Sequence, residues 1–138
     1  MPKKKLAQTL LFQTSRSRKS VEMKKTNKSQ VKITVHLDEE KKPEKIVWNA
    51  DQVAGKNVSN ESKAMFLSLF DGEAKDTMKL DLWTKDFQVA EMDRFVFHSL
   101  RSMADAYVRA TNNKELGNQM QKFAHYFAEE TEIIPKEN

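Results

Sequence analysis

The alternation of apolar and polar positions is densest between Lys63 and Thr84, in KAMFLSLFDGEAKDTMKLDLWT. On an extended chain Ala64, Phe66 and Phe70 fall to one side and Met65, Leu67 and Leu69 to the other. A strand that is apolar on both faces is the pattern expected in the middle of a sheet, covered above and below. Beyond the turn DGEAKD, Met78, Leu80 and Leu82 alternate with Lys79, Asp81 and Trp83, the period of a half-buried strand. The Asp and Gly of the turn suit a tight reversal. This hairpin is expected to be the centre of the fold.

Upstream, Val31, Ile33, Val35 and Leu37 alternate with Lys32, Thr34 and His36, which predicts a strand with one wet face. DEEKKPEK follows as a polar connection, and IVWNA (Ile46–Ala50) reads as its hairpin partner. DQVAGKNVSNES, Asp51–Ser62, has no periodicity and reads as the longest loop. Downstream, Met92, Phe95, Val96, Leu100, Met103, Tyr107 and Ala110 recur at three- and four-residue spacing. They predict a helix over about Val89–Ala110, with Phe97, Ala104 and Val108 widening its apolar sector. Thr84 and Asp86 offer acceptors near its start. Asn112 with Glu115 resembles a capping box opening a second helix, striped by Leu116, Met120, Phe123, Ala124 and Phe127 and ended by Pro135. The order predicts an α+β fold: a four-stranded antiparallel sheet of two hairpins, followed by two C-terminal helices packed on it. One sheet face is then left over, and Trp83 alternates away from Leu80 and Leu82. Phe66, Asp81 and Trp83 are therefore candidate protein-interface residues, self-association as a homodimer included.

Composition adds limits. At 138 residues the chain suits one domain. It has no cysteine, which excludes disulfides, thiolate nucleophiles and thiolate metal sites. The net charge of +4 suggests nucleic acid until it is located. Residues 1–22 carry six basic residues against Glu22, so the remaining 116 residues are close to neutral. Residues 1–28 lack periodicity and are expected to be a disordered basic N-terminal extension, with 29–134 as a single α+β domain. Met23 is a candidate true start. The apolar run LAQTLLF is too short and too polar for a signal peptide, and no run reaches the ~20 residues of a membrane span.

Candidate chemistry is sparse. His36, His98 and His125 lie in separate elements, without the paired spacing that a metal site requires. Gly55, Gly72 and Gly117 stand alone, so no phosphate-cradling loop is present, and Asp76 and Asp81 read as turn and surface groups. Neither a catalytic residue, a cofactor, a metal nor a small-molecule substrate is expected. Phe66, Phe70 and Trp83 could stack bases, as in sheet-based single-stranded nucleic-acid binders, or serve as core. The near-neutral body weighs against nucleic acid, which stays the alternative reading.

The runs ESKAM (Glu61–Met65), LDLWTKDF (Leu80–Phe87), VAEMDRF (Val89–Phe95) and SMADAYVRATN (Ser102–Asn112) resemble the GldC family of gliding-motility-associated proteins. VKITVHLDEEKKPEKIVW (Val31–Trp48) and the YFAEE that ends at Glu130 continue the resemblance, and Gln88 stands where the family has a helix-start proline. The resemblance implies a small soluble cytoplasmic accessory protein of gliding motility without catalytic residues. It also implies protein partners in the gliding machinery, the membrane-associated GldB among them.

Overall fold

The computed structural model describes residues 27–53 and 55–138. The chain runs β1 (Val31–Leu37), β2 (Pro43–Val53), β3 (Lys56–Ser62), β4 (Ala64–Asp71), β5 (Asp76–Trp83), α1 (Val89–Thr111) and α2 (Lys114–Glu130). The class is α+β, as the pattern predicts, with the strands in two antiparallel sheets. One sheet has the order β1-β2-β3, and the other is the pair β4-β5. The described residues form two compact units, 27–35 with 46–81, and 36–45 with 82–138. The expected N-terminal extension lies almost wholly outside the described residues.

The fifth strand is β3, cut from what reads as a loop. Its residues, KNVSNES, are poor strand formers, but β2 supplies an antiparallel ladder from Ile46↔Ser62 to Val53↔Lys56. Pairing overrides propensity here, and a polar strand is what a sheet edge tolerates. The reversal uses Gly55 at φ +77, a left-handed conformation that costs glycine nothing. β2 also begins earlier than expected, at Pro43, because a first-strand residue can spare its missing N–H. Along β2, Ile46 and Ala50 share one face and are both buried.

The β1–β2 reversal is built on Asp38. Its carboxylate accepts from the backbone N–H groups of Glu40 and Lys42, both at 2.9 Å, while Lys41 takes the left-handed position at φ 62. Lys85, just past β5, reaches the same carboxylate at 3.2 Å, and its N–H donates to the Pro43 carbonyl at 3.2 Å. The Lys42 N–H holds the Asp38 carboxyl below its usual value of 3.8, with help from Lys85, and Asp38 in turn raises Lys85 above 10.5. A depressed carboxyl stabilises the fold fully above 3.8 and loses that contribution as pH falls through its lower folded value. A raised lysine stabilises fully below 10.5 and loses it above. The melting temperature is therefore expected to drop on acidification below about pH 4, and Asp38→Asn is expected to flatten that drop in a pH series of thermal melts.

Helix α1 opens at Gln88, whose backbone N–H donates to the Glu91 carboxylate at 3.3 Å. Thr84 and Asp86 bond each other at 2.6 Å instead of capping the helix. Of the two asparagines between the helices, Asn112 closes α1 in the left-handed conformation at φ 58. Asn113, not Asn112, caps α2 by accepting from the Leu116 N–H at 3.1 Å. Asn is the side chain besides Gly that readily takes either role, so the cap moves by one residue. Helix α2 stops at Glu130, ahead of Pro135, where Glu132 turns left-handed at φ 59 and the N–H groups of Ile133 and Ile134 fall back on the Ala128 carbonyl.

The two helices meet on small residues. Phe97 and Ala104 are the buried positions of α1; Gly117, Ala124 and Ala128 are those of α2. Gln121 sits beside this seam and donates to the Arg101 carbonyl at 3.3 Å and the Asp105 carboxylate at 3.0 Å. The expected stripes are displaced in part: Met103, Leu116 and Phe123 are exposed and Ala124 is buried, while Ala104 and Val108, expected only to widen the α1 stripe, lie against Gly117.

Candidate functional site

The β4–β5 ribbon departs most from what its apolar content implies. Its turn is well made. The Asp71 carboxylate accepts from the N–H groups of Glu73 at 2.8 Å and Ala74 at 3.0 Å, and Lys75 supplies the left-handed residue at φ 53. The Ala74 N–H, then that of Glu73, lowers the Asp71 pKa, so the carboxylate stays charged as the turn requires. Gly72 is not the left-handed residue. Among the described residues β4 is paired with β5 alone, so it does not lie in the middle of a sheet. Nor is it covered on both faces: Leu69 is 52% exposed and Phe70 70%, while on β5 Met78 is 58% and Leu80 45% exposed.

All three sequence-predicted interface residues lie on this ribbon, Phe66 on β4 and Asp81 and Trp83 on β5. Phe66 is 40% and Trp83 51% exposed. Asp81 and Trp83 share a strand face by alternation, and Asp81 lies 3.7 Å from the Lys79 ammonium. Leu69, Met78 and Leu80 belong with them as exposed apolar groups, although their spacing reads as core. The pattern marks a face as apolar; it carries no signal for whether the chain's own residues cover that face.

Two concave features are also present, one of them reaching the start of β4. A hollow of about 200 Å³ is walled by Val31, Ile33, Ile46, Trp48, Ala64 and Met65, with Ser62 as its polar rim. It carries no titratable side chain. A shallow groove follows the α1–α2 seam near Asp105, Arg109, Lys114 and Gln121, with both signs of charge. His125 is paired with Glu129 at 2.9 Å along α2, and among the described residues no three His, Cys, Asp or Glu side chains come together. No helix among the described residues is long and apolar enough to cross a membrane.

Residues 43–133, from the start of β2 to just beyond α2, match the family described as gliding motility-associated protein GldC-like. That is about two thirds of the chain, over an uninterrupted run that includes the ribbon and both helices. The chain belongs to the GldC-like family. Comparison with curated proteins and with solved structures yields no match. Within this GldC-like chain the run DLWTK, Asp81–Lys85, closes β5 and delivers Lys85 to Asp38 and Glu44, at 3.2 and 3.7 Å. It thus joins the exposed indole of Trp83 to a structural anchor two residues later.

Proposed function

We propose that this GldC-like protein is a non-enzymatic, cytoplasmic adaptor of gliding motility, and that it acts through protein–protein contacts on the β5 strand around Asp81 and Trp83, with Phe66 on β4 contributing. The observation that carries the reading is Trp83, a half-exposed indole on a strand otherwise held by a well-formed turn and the Lys85 anchor. Tryptophan supplies a large rigid apolar area with one hydrogen-bond donor, and it is enriched among the few residues that dominate protein interfaces. The neighbouring Asp81 gives such a surface a polar edge. From Ala64 to Trp83 the ribbon carries Asp71, Glu73, Asp76 and Asp81 against Lys75 and Lys79, a net negative charge that repels phosphate and favours a protein partner. The apolar walls of the hollow likewise support binding over catalysis. The membrane-associated companion GldB, which the family resemblance implies, is one candidate partner for this surface.

The test is complementation in a gliding bacterium lacking the gene. Wild-type chain is expected to restore colony spreading, and Trp83→Lys to leave it near the level of the deletion while its thermal melt is unchanged. Full restoration by Trp83→Lys would remove the indole from the working surface.

A further inference from the structure

The β4 strand carries a second inference, which goes beyond the adaptor reading and rests on the edge of β4, sharing only Phe66 with that reading. From Ala64 to Phe70 it has no charge, no proline and no glycine. Strands at a sheet edge are normally protected by such residues, since their unpaired N–H and C=O groups recruit any strand that approaches. Among the described residues β4 pairs on one side only, with β5, and a two-stranded ribbon is marginal on its own, whereas four strands are not.

We propose that β4 pairs antiparallel with β4 of a second copy of this chain, about a two-fold axis at Leu67, so that two ribbons form one four-stranded sheet. The strand is complementary to itself in this register alone. Leu67 meets Leu67, Met65 meets Leu69, and on the opposite face the small Ala64 and Ser68 meet the bulky Phe70 and Phe66. The flanking Lys63 falls opposite Asp71, so opposite charges face each other at both ends. A two-fold axis keeps each strand face on its own side, so the register can slip only two residues at a time. One slip places Lys63 opposite Leu69, and the other sets Asp71 opposite Met65. Near the free edge of β4, Leu69 is 52% and Phe70 70% exposed, apolar surface that a strand paired there would partly cover.

The absence of native cysteine makes the test direct. The full-length protein is expected to have twice its 16.0 kDa mass by light scattering at micromolar concentration. Directly opposed residues in an antiparallel pair lie within disulfide reach. Leu67→Cys is therefore expected to give a covalent dimer under mild oxidation at least tenfold faster than Leu69→Cys, whose two copies lie ~14 Å apart along the strands. A monomer at all concentrations up to about 100 μM would overturn the proposal. So would a dimer in which Leu67→Cys links no faster than Leu69→Cys, because another surface then holds the copies together. A full-length monomer that dimerises once residues 1–26 are removed would show that the N-terminal segment occupies β4, which also overturns it.

Discussion

Gly117→Val is expected to destabilise the protein by about 3 kcal/mol, a large effect at the seam of the helical pair. Gly117 is buried on α2 where it crosses α1, and a methyl group built there would overlap Val108 Cγ2, with Val108 Cβ at 3.7 Å and the Ala104 carbonyl oxygen at 3.9 Å behind it. Two effects oppose each other. Gly117 is the fourth residue of α2, where replacing glycine by alanine gains up to about 1 kcal/mol of helix propensity. Forcing a methyl into a closed seam costs about 1–3 kcal/mol. Gly117→Ala should thus be close to neutral or mildly destabilising, and valine, with two more methyls and a stiff χ1, should be clearly destabilising. Thermal or denaturant unfolding reads both values. The sharper check is the pair with Val108→Ala, which vacates the overlapping position. Gly117→Ala combined with Val108→Ala is expected to be less damaging than the sum of the two by about 1 kcal/mol or more, whereas strict additivity would mean that the residues do not meet.

That seam also shows what the sequence could and could not reveal. Both helices are legible because Met92, Leu100 and Tyr107, or Leu116, Met120 and Phe127, repeat at helical spacing. The face on which they join is legible only in part: Ala104 and Ala124 fall within the expected stripes, but Gly117 and Ala128 carry little weight in a pattern built on large side chains. Small residues instead allow close approach of two backbones, and Gly117 is the residue whose isolation in the sequence hides that role. β3 is illegible for another reason. Lys56, Asn57, Ser59 and Asn60 have no strand preference, and only the ladder offered by β2 makes them extended. The displaced cap at Asn113 comes from two adjacent residues with the same chemistry, between which only backbone geometry decides.

The ribbon is the instructive case for function. Its strands and its turn are written plainly in the alternation of Met65, Leu67, Leu69, Met78 and Leu80. Its candidate residues Phe66, Asp81 and Trp83 all fall on it. The inference that so apolar a strand must be buried within its own sheet is what fails: β4 has a single paired neighbour among the described residues, and Phe70 stands in the open. Burial is a property of whatever covers a surface. For a member of a motility-associated family, the covering element belongs to another chain under the reading given above.

The second large effect follows from that reading and is a loss of binding instead of stability. Trp83 carries an apolar area that only a well-packed partner pocket can match, and replacing such a central aromatic typically costs at least 2 kcal/mol of affinity, about thirtyfold. A lysine in its place adds the cost of a buried, unpaired charge. The fold should be indifferent, since the indole is half exposed and the adjacent Lys85–Asp38 anchor is untouched. The decisive measurement is quantitative affinity capture from gliding cells, with wild-type and Trp83→Lys chains as parallel baits at equal loading. The account predicts that wild type enriches one or more proteins of the gliding machinery and that Trp83→Lys retains less than a tenth of them while melting at the wild-type temperature. Equal capture by the two baits would contradict it.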